Sequence, residues 1–338
     1  MKGYVDKIPM FFLVNKARSG STMVHSVLDA HPNICATIES RFALHLYTKY
    51  NSTTDWTDRI INSFINDVFT DRGYRLFWGV SKSELVILFS KYHINNFSDA
   101  CKVIYLSYNS IFEKNEIKVI VDKNPSYARF MPELMKIFPN AKFIHLVRDP
   151  RAVVSSNRIA FNGKIPRITN SWILLNGLIE SKKNEISFLT IRYEDLVKTP
   201  KTSFQLIFDF LNIEFKKEML EAHSTVKRIK ENHNYYSLKH HANVSTTINS
   251  KSIDSWKKKL SEEEVNLINY MTSKAAIKYG YDILKPSVNT SQLKKIERSL
   301  KVLLLNAKII VLFYQAPFFI RKNILNLIGC FFDKRYKK

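Results

Sequence analysis

Ser19, Gly20, Ser21 and Thr22 follow Lys16 and Arg18 just past an apolar run, Met10 to Val14. Small residues at a strand-to-helix turn let an anion approach the backbone N–H groups, and two cations beside them supply opposite charge. A helix starting near Thr22, with Met23, Val24, Val27 and Leu28 on one face, adds the partial positive charge of its N-terminus. These types at this spacing favour phosphate binding. The loop of nucleoside triphosphate enzymes reads G-x-x-x-x-G-K-[ST]. Aligned on Gly20 and Thr22, this chain has Asn15 in place of the first glycine and Ser21 in place of the lysine. With its cations upstream, the loop suits phosphate but is poorly built for a magnesium-bound triphosphate. A second anion-seeking group, Arg148, lies in FIHLVRDPRAVVSS; its planar fork can grip a phosphate through two parallel hydrogen bonds. The plainer alternatives are surface serines on an ordinary turn, and Arg148 paired with Asp149 at a helix start.

The elements that must hold these groups alternate. After the first strand and helix comes a helix-like, aromatic-rich stretch over about residues 42 to 114, to which no role attaches from sequence. EIKVIVDKNP reads as a strand, SYARFMPELMKIFPN as an amphipathic helix and AKFIHLVRDP as a strand. RAVVSSNRIAF starts a helix, ISFLTIRYEDLV is a strand and TSFQLIFDFL a helix. Such alternation predicts a parallel sheet covered on both faces, with ligands at the carboxyl ends of its strands. Arg18, Lys123, Arg148 and Tyr193 then share one rim, because each lies at or just past the end of a strand.

A chain of 338 residues with 45% hydrophobic content can bury a large core. Its net charge of +22 calls for an anionic partner. Three cysteines without metal spacing, and an N-terminal MKGYVDKIP that is no secretory signal, point to a reducing, cytoplasmic setting.

ARSGSTMVHSVLDAHP, FIHLVRDPRAVVSS and IRYEDLV, in that order, resemble the sulfotransferases that use 3′-phosphoadenosine 5′-phosphosulfate (PAPS). The nearest branch is that of the tyrosylprotein sulfotransferases and their bacterial relatives. The resemblance runs from about residue 9 to 212, more weakly around SIDSWKKKLSEEE. It implies a P-loop-type three-layer α/β fold, a central parallel sheet flanked by helices. It also implies transfer of a sulfuryl group from PAPS to a hydroxyl. The first loop (Lys16, Arg18, Ser19, Gly20, Ser21, Thr22) would hold the 5′-phosphosulfate. Arg148 and Ser156 would hold the 3′-phosphate, and Tyr193 would contact the nucleotide. Glu39 falls where that branch carries its base, with Arg41 binding the acceptor or orienting Glu39. Lys123 matches a lysine that stabilises the bridging oxygen of the leaving phosphate. Lys257 matches a basic residue of a C-terminal segment that covers the nucleotide. The sequence departs from the branch at Thr37 and Ile38, in place of a glycine and an acid. His31 reads as structural, His93 has no motif around it, and His240-His241 lacks metal spacing.

The chemistry agrees with these types. Sulfuryl transfer needs positioning, charge stabilisation and one proton acceptor, and no metal is expected. Two rivals remain at this point: a kinase on a variant P-loop, and a non-catalytic basic protein that binds membrane. No nucleic-acid partner is expected. A carbohydrate or glycolipid hydroxyl is the expected acceptor.

Composition divides the chain into a catalytic domain, 1–290, and a basic amphipathic, helical extension, 291–338. Residues 294 to 338 hold eleven Lys or Arg and two acids between apolar runs. The longest uncharged run, Ile309 to Ile320, falls short of the ~20 apolar residues that span a bilayer. An anionic membrane surface, packing on the core and a dimer contact all fit this pattern, the first making the protein peripheral at the membrane. Ser261 reads as a helix N-cap before an acid-rich first turn.

Overall fold

The computed structural model describes residues 4–221, 250–283 and 286–324. Its sheet comprises β1 (Met10–Asn15), β2 (Ile34–Ile38), β3 (Val119–Lys123), β4 (Lys142–Val147) and β5 (Phe188–Arg192). They lie in the order β2-β3-β1-β4-β5, every neighbouring pair parallel. Because β1 is central, the chain leaves it towards β2 and β3 and later returns to its other side as β4 and β5. The crevice beyond β1 and β4 is therefore the switch point at which open α/β sheets bind ligands.

Period-two alternation along β1 serves both faces. Phe11 and Leu13 join α1 (Ser21–Asp29) in one core, while Phe12 and Val14 join the aromatic stretch in the other. That stretch forms α2 (Phe42–Tyr50), α3 (Asp58–Val68), α4 (Arg72–Phe77), α5 (Lys82–Phe89) and α6 (Phe97–Leu106). The rest of the sandwich is α7 (Met131–Ile137), α8 (Pro150–Phe161), α9 (Ile165–Glu180), α10 (Tyr193–Lys198) and α11 (Pro200–Leu211). Then come α12 (Glu262–Ala276) and α13 (Thr290–Gln315). Ser261 caps α12 in a reciprocal box with Glu264, as the sequence indicated.

Three local readings change. IRYEDLV is not all strand: β5 stops at Arg192, and Tyr193 begins α10, whose first turn carries Glu194 and Asp195 where a helix N-terminus favours acids. SYARFMPELMKIFPN splits into a 3₁₀ turn, Tyr127–Arg129, and α7, because Pro132 can enter only the first turn of a helix. ICATI, unassigned from sequence, is β2. It is too short and too uniformly buried to show alternation.

Residues from the extension pack on the body of the chain. α13 lies along α9, and Leu303, Phe318 and Arg321 are buried. The Arg321 guanidinium donates to the Leu44 carbonyl and to Thr48 Oγ1, and Lys322 pairs with Asp67 at 3.2 Å.

Candidate active site

All five strands end at one rim, and the candidate residues follow those ends. The loop after β1 turns at Arg18 (φ 77°) and at Gly20 (φ 96°), which is also the N-cap of α1. Gly20 is required twice over. Its backbone is left-handed, and a Cβ there would collide with the Tyr193 ring. No side chain caps α1, so the N–H groups of its first turn, at Ser21 and Thr22, point towards the crevice without an intrahelical acceptor. Ser19 Oγ and Asn15 Nδ2 both donate to the Lys16 carbonyl, at 2.6 and 2.7 Å, and fix the turn.

The second motif meets this loop. Arg148, 8% exposed, donates to the Arg18 carbonyl at 3.1 Å and to the Ser252 carbonyl at 3.0 Å. Its guanidinium carbon lies 4.0 Å from the Tyr193 ring centroid, and its buried Nε has no partner. Arg18 Nε donates to Ser156 Oγ at 3.1 Å, joining residues 138 apart in sequence. The plainer reading of Arg148 therefore fails. Asp149 is taken by Arg151 at 2.7 Å and caps α8, so Arg148 is left facing the crevice. Burial, and then Arg148, lowers the pKa of Arg18. Burial, and then Arg129 and Arg167, depresses the Lys16 ammonium to about 8. Cations gathered this closely, with a buried donor unpaired, are what a multiply charged anion satisfies.

Beyond β2 and β3 lies a different pair. Lys123 Nζ, almost wholly buried, is 2.8 Å from Glu39 Oε1, and the Glu39 carboxylate side is half-exposed. Glu39 has φ 39°, an uncommon conformation for a residue with a side chain. Surrounding groups impose it. Glu39 N donates to the Lys123 carbonyl at 3.1 Å, and Trp78 Nε1 donates to the Ile38 carbonyl at 2.8 Å. Tyr127 Oη and Asn124 Nδ2 hold the Ser40 carbonyl. Asp71 accepts from Ser40 Oγ at 3.0 Å and from Arg41 N at 3.2 Å, and Gly73 lies against the Glu39 carbonyl with no room for a Cβ. The aromatic stretch thus acquires a role that the sequence did not disclose: it fixes the backbone of 38–41. Burial works against the charge of Arg41, but Tyr314, then Tyr127 and Asp71, outweigh it and raise its pKa.

Lys257 sits apart from these contacts, on an exposed 3₁₀ turn where it pairs with Asp254 at 3.0 Å. From the same segment it is Ser252 that reaches the site, bonding Arg148 and, at 2.5 Å, Tyr193 Oη. Sequence reasoning passed over Ser252, Arg129, Arg167 and Tyr314. Ser252 lies in the SIDSWKKKLSEEE segment, where Lys257 was preferred; the other three sit in no motif, and only the fold brings them to the rim. His31 accepts from Asn33 N at 3.1 Å, a turn-holding role, whereas His240-His241 lies outside the described residues. Among the described residues no group of three or more acidic, histidine or cysteine side chains gathers as metal ligands.

Comparison with known proteins bears on the family and the fold. Residues 9–217 match the family described as Sulfotransferase family. A putative protein-tyrosine sulfotransferase of Caenorhabditis briggsae is 22% identical over 287 residues, covering 81% of this chain and 89% of that one. The omega-hydroxy-beta-dihydromenaquinone-9 sulfotransferase Stf3 of Mycobacterium bovis is 27% identical over 113 residues, 28% of this chain and 29% of that one. The sulfotransferase domain of the Synechococcus PCC 7002 olefin synthase superposes with a TM-score of 0.56 at 22% identity. It covers 82% of this chain and 97% of that domain, a likeness of fold.

Proposed function

This chain belongs to the sulfotransferase family and is a PAPS-dependent enzyme, and from that premise we propose how its own residues carry the transfer. The loop from Lys16 to Thr22 binds the 5′-phosphosulfate, and Arg148 with Ser156 binds the 3′-phosphate. Tyr193 lies against the nucleotide. One observation carries the assignment. Arg18 Nε and Ser156 Oγ, 3.1 Å apart, tie the two anion sites into one crevice at the sheet's switch point. A triphosphate chain would need only the first site. The unpaired Nε of buried Arg148 suits the second.

The donor supplies an already activated sulfuryl group. Glu39 takes the proton of the acceptor hydroxyl as its oxygen attacks sulfur. The bond from sulfur to the bridging oxygen breaks, and its electron pair stays on the 5′-phosphate of adenosine 3′,5′-bisphosphate. Lys123 stabilises that charge. Without donor, Lys123 and Glu39 hold each other at 2.8 Å. The arriving phosphosulfate competes with Glu39 for the ammonium, which brings Lys123 to the phosphate.

Arg41 orients the acceptor. Our reading of that acceptor is a carbohydrate or glycolipid hydroxyl. Relatives named for protein tyrosine and for a dihydromenaquinone define the competing classes. A cytoplasmic site of action goes with this reading. Transfer of label from [³⁵S]PAPS to a panel of saccharides, glycolipids, tyrosine peptides and quinols tests it. Labelled saccharide or glycolipid is expected. Label found only in peptide or quinol would overturn the acceptor and leave the donor site standing.

A further inference from the structure

α13 is apolar on two faces, and the described residues cover only one. Ile296, Ser299, Leu303, Ile310 and Tyr314 form the inner face. Asn170 donates to the Ile296 carbonyl and to Ser299 Oγ, Leu303 is buried, and Tyr314 packs on Phe130 with ring centroids 4.7 Å apart. On the outer face stand Val302, Leu305, Ile309 and Leu312, at spacings of three and four residues that place them in one stripe. They are 47%, 59%, 54% and 55% exposed. Past the end of α13, Phe319 and Ile320 extend the exposed apolar surface. An outward stripe of this kind is not needed for folding, because the inner face already holds the helix to the body.

Charge decides what covers it. Lys294, Lys295, Arg298, Lys301 and Lys308 are exposed on the same helix, against one acid, Glu297, which Lys301 neutralises at 2.7 Å. A second copy of the chain would bring the same cations against themselves. A spanning arrangement is unsupported, since among the described residues no helix is long and apolar enough to cross a membrane. A helix with basic side chains beside a bulky apolar stripe, on a chain of net charge +22, matches the surface of an anionic bilayer.

We infer that α13 docks this protein on an anionic lipid surface, its outer stripe entering the acyl boundary and its lysines resting among the headgroups. Docking there has a consequence for the reaction. Tyr314, on the inner face of the same helix, is close enough to Arg41, two residues from Glu39, to raise its pKa. The acceptor side of the site then stands beside the bilayer, and an acceptor resident in the membrane can be drawn from it. That consequence rests on the reading of Glu39 and Arg41 given above. The docking itself does not.

The test uses the full chain in flotation with vesicles of phosphatidylcholine alone and of phosphatidylcholine with phosphatidylglycerol, at near-physiological salt. Binding is expected to the anionic vesicles only. It should fall roughly thirtyfold in Lys301→Gln/Lys308→Gln and vanish in Leu305→Glu/Ile309→Glu/Leu312→Glu. Both variants should bind adenosine 3′,5′-bisphosphate as wild type does, which shows that they are folded. Three results would overturn the inference: no binding to anionic vesicles, binding unchanged in the triple variant, or a triple variant altered only from dimer to monomer. Because the readout is flotation, a failure of docking stays distinct from a failure of the catalytic reading.

Discussion

Glu39 and Lys123 face each other across the ends of β2 and β3, 2.8 Å apart, and each carries its own prediction. Glu39→Gln keeps the size of the side chain and removes the base. Turnover should fall ~10²–10⁴-fold in a steady-state assay, with affinity for adenosine 3′,5′-bisphosphate unchanged. Lys123→Ala should cost ~10²–10³-fold in turnover, the range for losing one preorganised group at a developing charge. Equal activity in either variant would remove that residue from the mechanism. Lys16 predicts a pH effect. Its folded pKa of about 8 lies below the ordinary lysine value, so it is charged below pH 8 and loses its proton above it. Bound phosphates favour the ammonium. Donor affinity should therefore weaken as pH rises through 8, with proton uptake on binding near pH 8–9. Calorimetry in two buffers of different ionisation enthalpy reads that uptake, and Lys16→Met should abolish it. At this scale the sequence was most legible where motif and chemistry coincide, as at Arg148, Ser156 and Gly20. Around SIDSWKKKLSEEE it marked the segment but chose Lys257, because Ser252 is an ordinary serine until the fold lays its carbonyl against Arg148.

Between residue and molecule, the helices from α2 to α6 act as a buttress. Asp71 caps α4 through Tyr74 N and reaches Ser40 and Arg41 with the same carboxylate, so one side chain couples helix start to catalytic loop. Asp71→Ala should lower stability by ~1–3 kcal/mol in denaturant unfolding, from the lost cap and the buried donors left unpaired. It should also reduce turnover while sparing donor affinity. Unchanged turnover would mean that the backbone of 38–41 holds its shape without Asp71. The aromatic pattern of this stretch announced helices and a core. It could not announce that Trp78 and Asp71 would meet residues 38–41, because those contacts cross 30 to 40 positions of sequence. Of the strand ends, those of β1, β3 and β4 were legible, since Lys16, Asn124 and Arg148 follow them. β2 was not, for five buried residues in a row carry no period.

On the scale of the whole molecule, sheet and extension divide the work. The parallel sheet brings five loops to one rim, so motifs lying between residues 16 and 193 meet there. The alternation of strands and helices was enough to foresee this. The extension was foreseen only in composition. Its inner face, with Leu303, Phe318 and Arg321 buried, could not be told from its outer one until α9 and α2 were in place. A chain ending at residue 289 should melt about 5 °C or more below the full chain, because these groups leave apolar surface and Asp67 exposed. Turnover should fall with it, since Tyr314 no longer supports Arg41. An unchanged melting point would make the extension an independent unit.

The central claim is that two anion sites, joined by Arg18 and Ser156 and completed by Arg148, hold a nucleotide phosphorylated at both 3′ and 5′ positions. Calorimetric titration of adenosine 3′,5′-bisphosphate, with AMP and ATP as controls, into wild type and Arg148→Ala addresses it most directly. The account predicts binding that needs the 3′-phosphate and falls roughly tenfold or more in the variant, as the loss of charge-assisted hydrogen bonds requires. Equal affinity for AMP, a preference for ATP with magnesium, or an undiminished Arg148→Ala variant would contradict it.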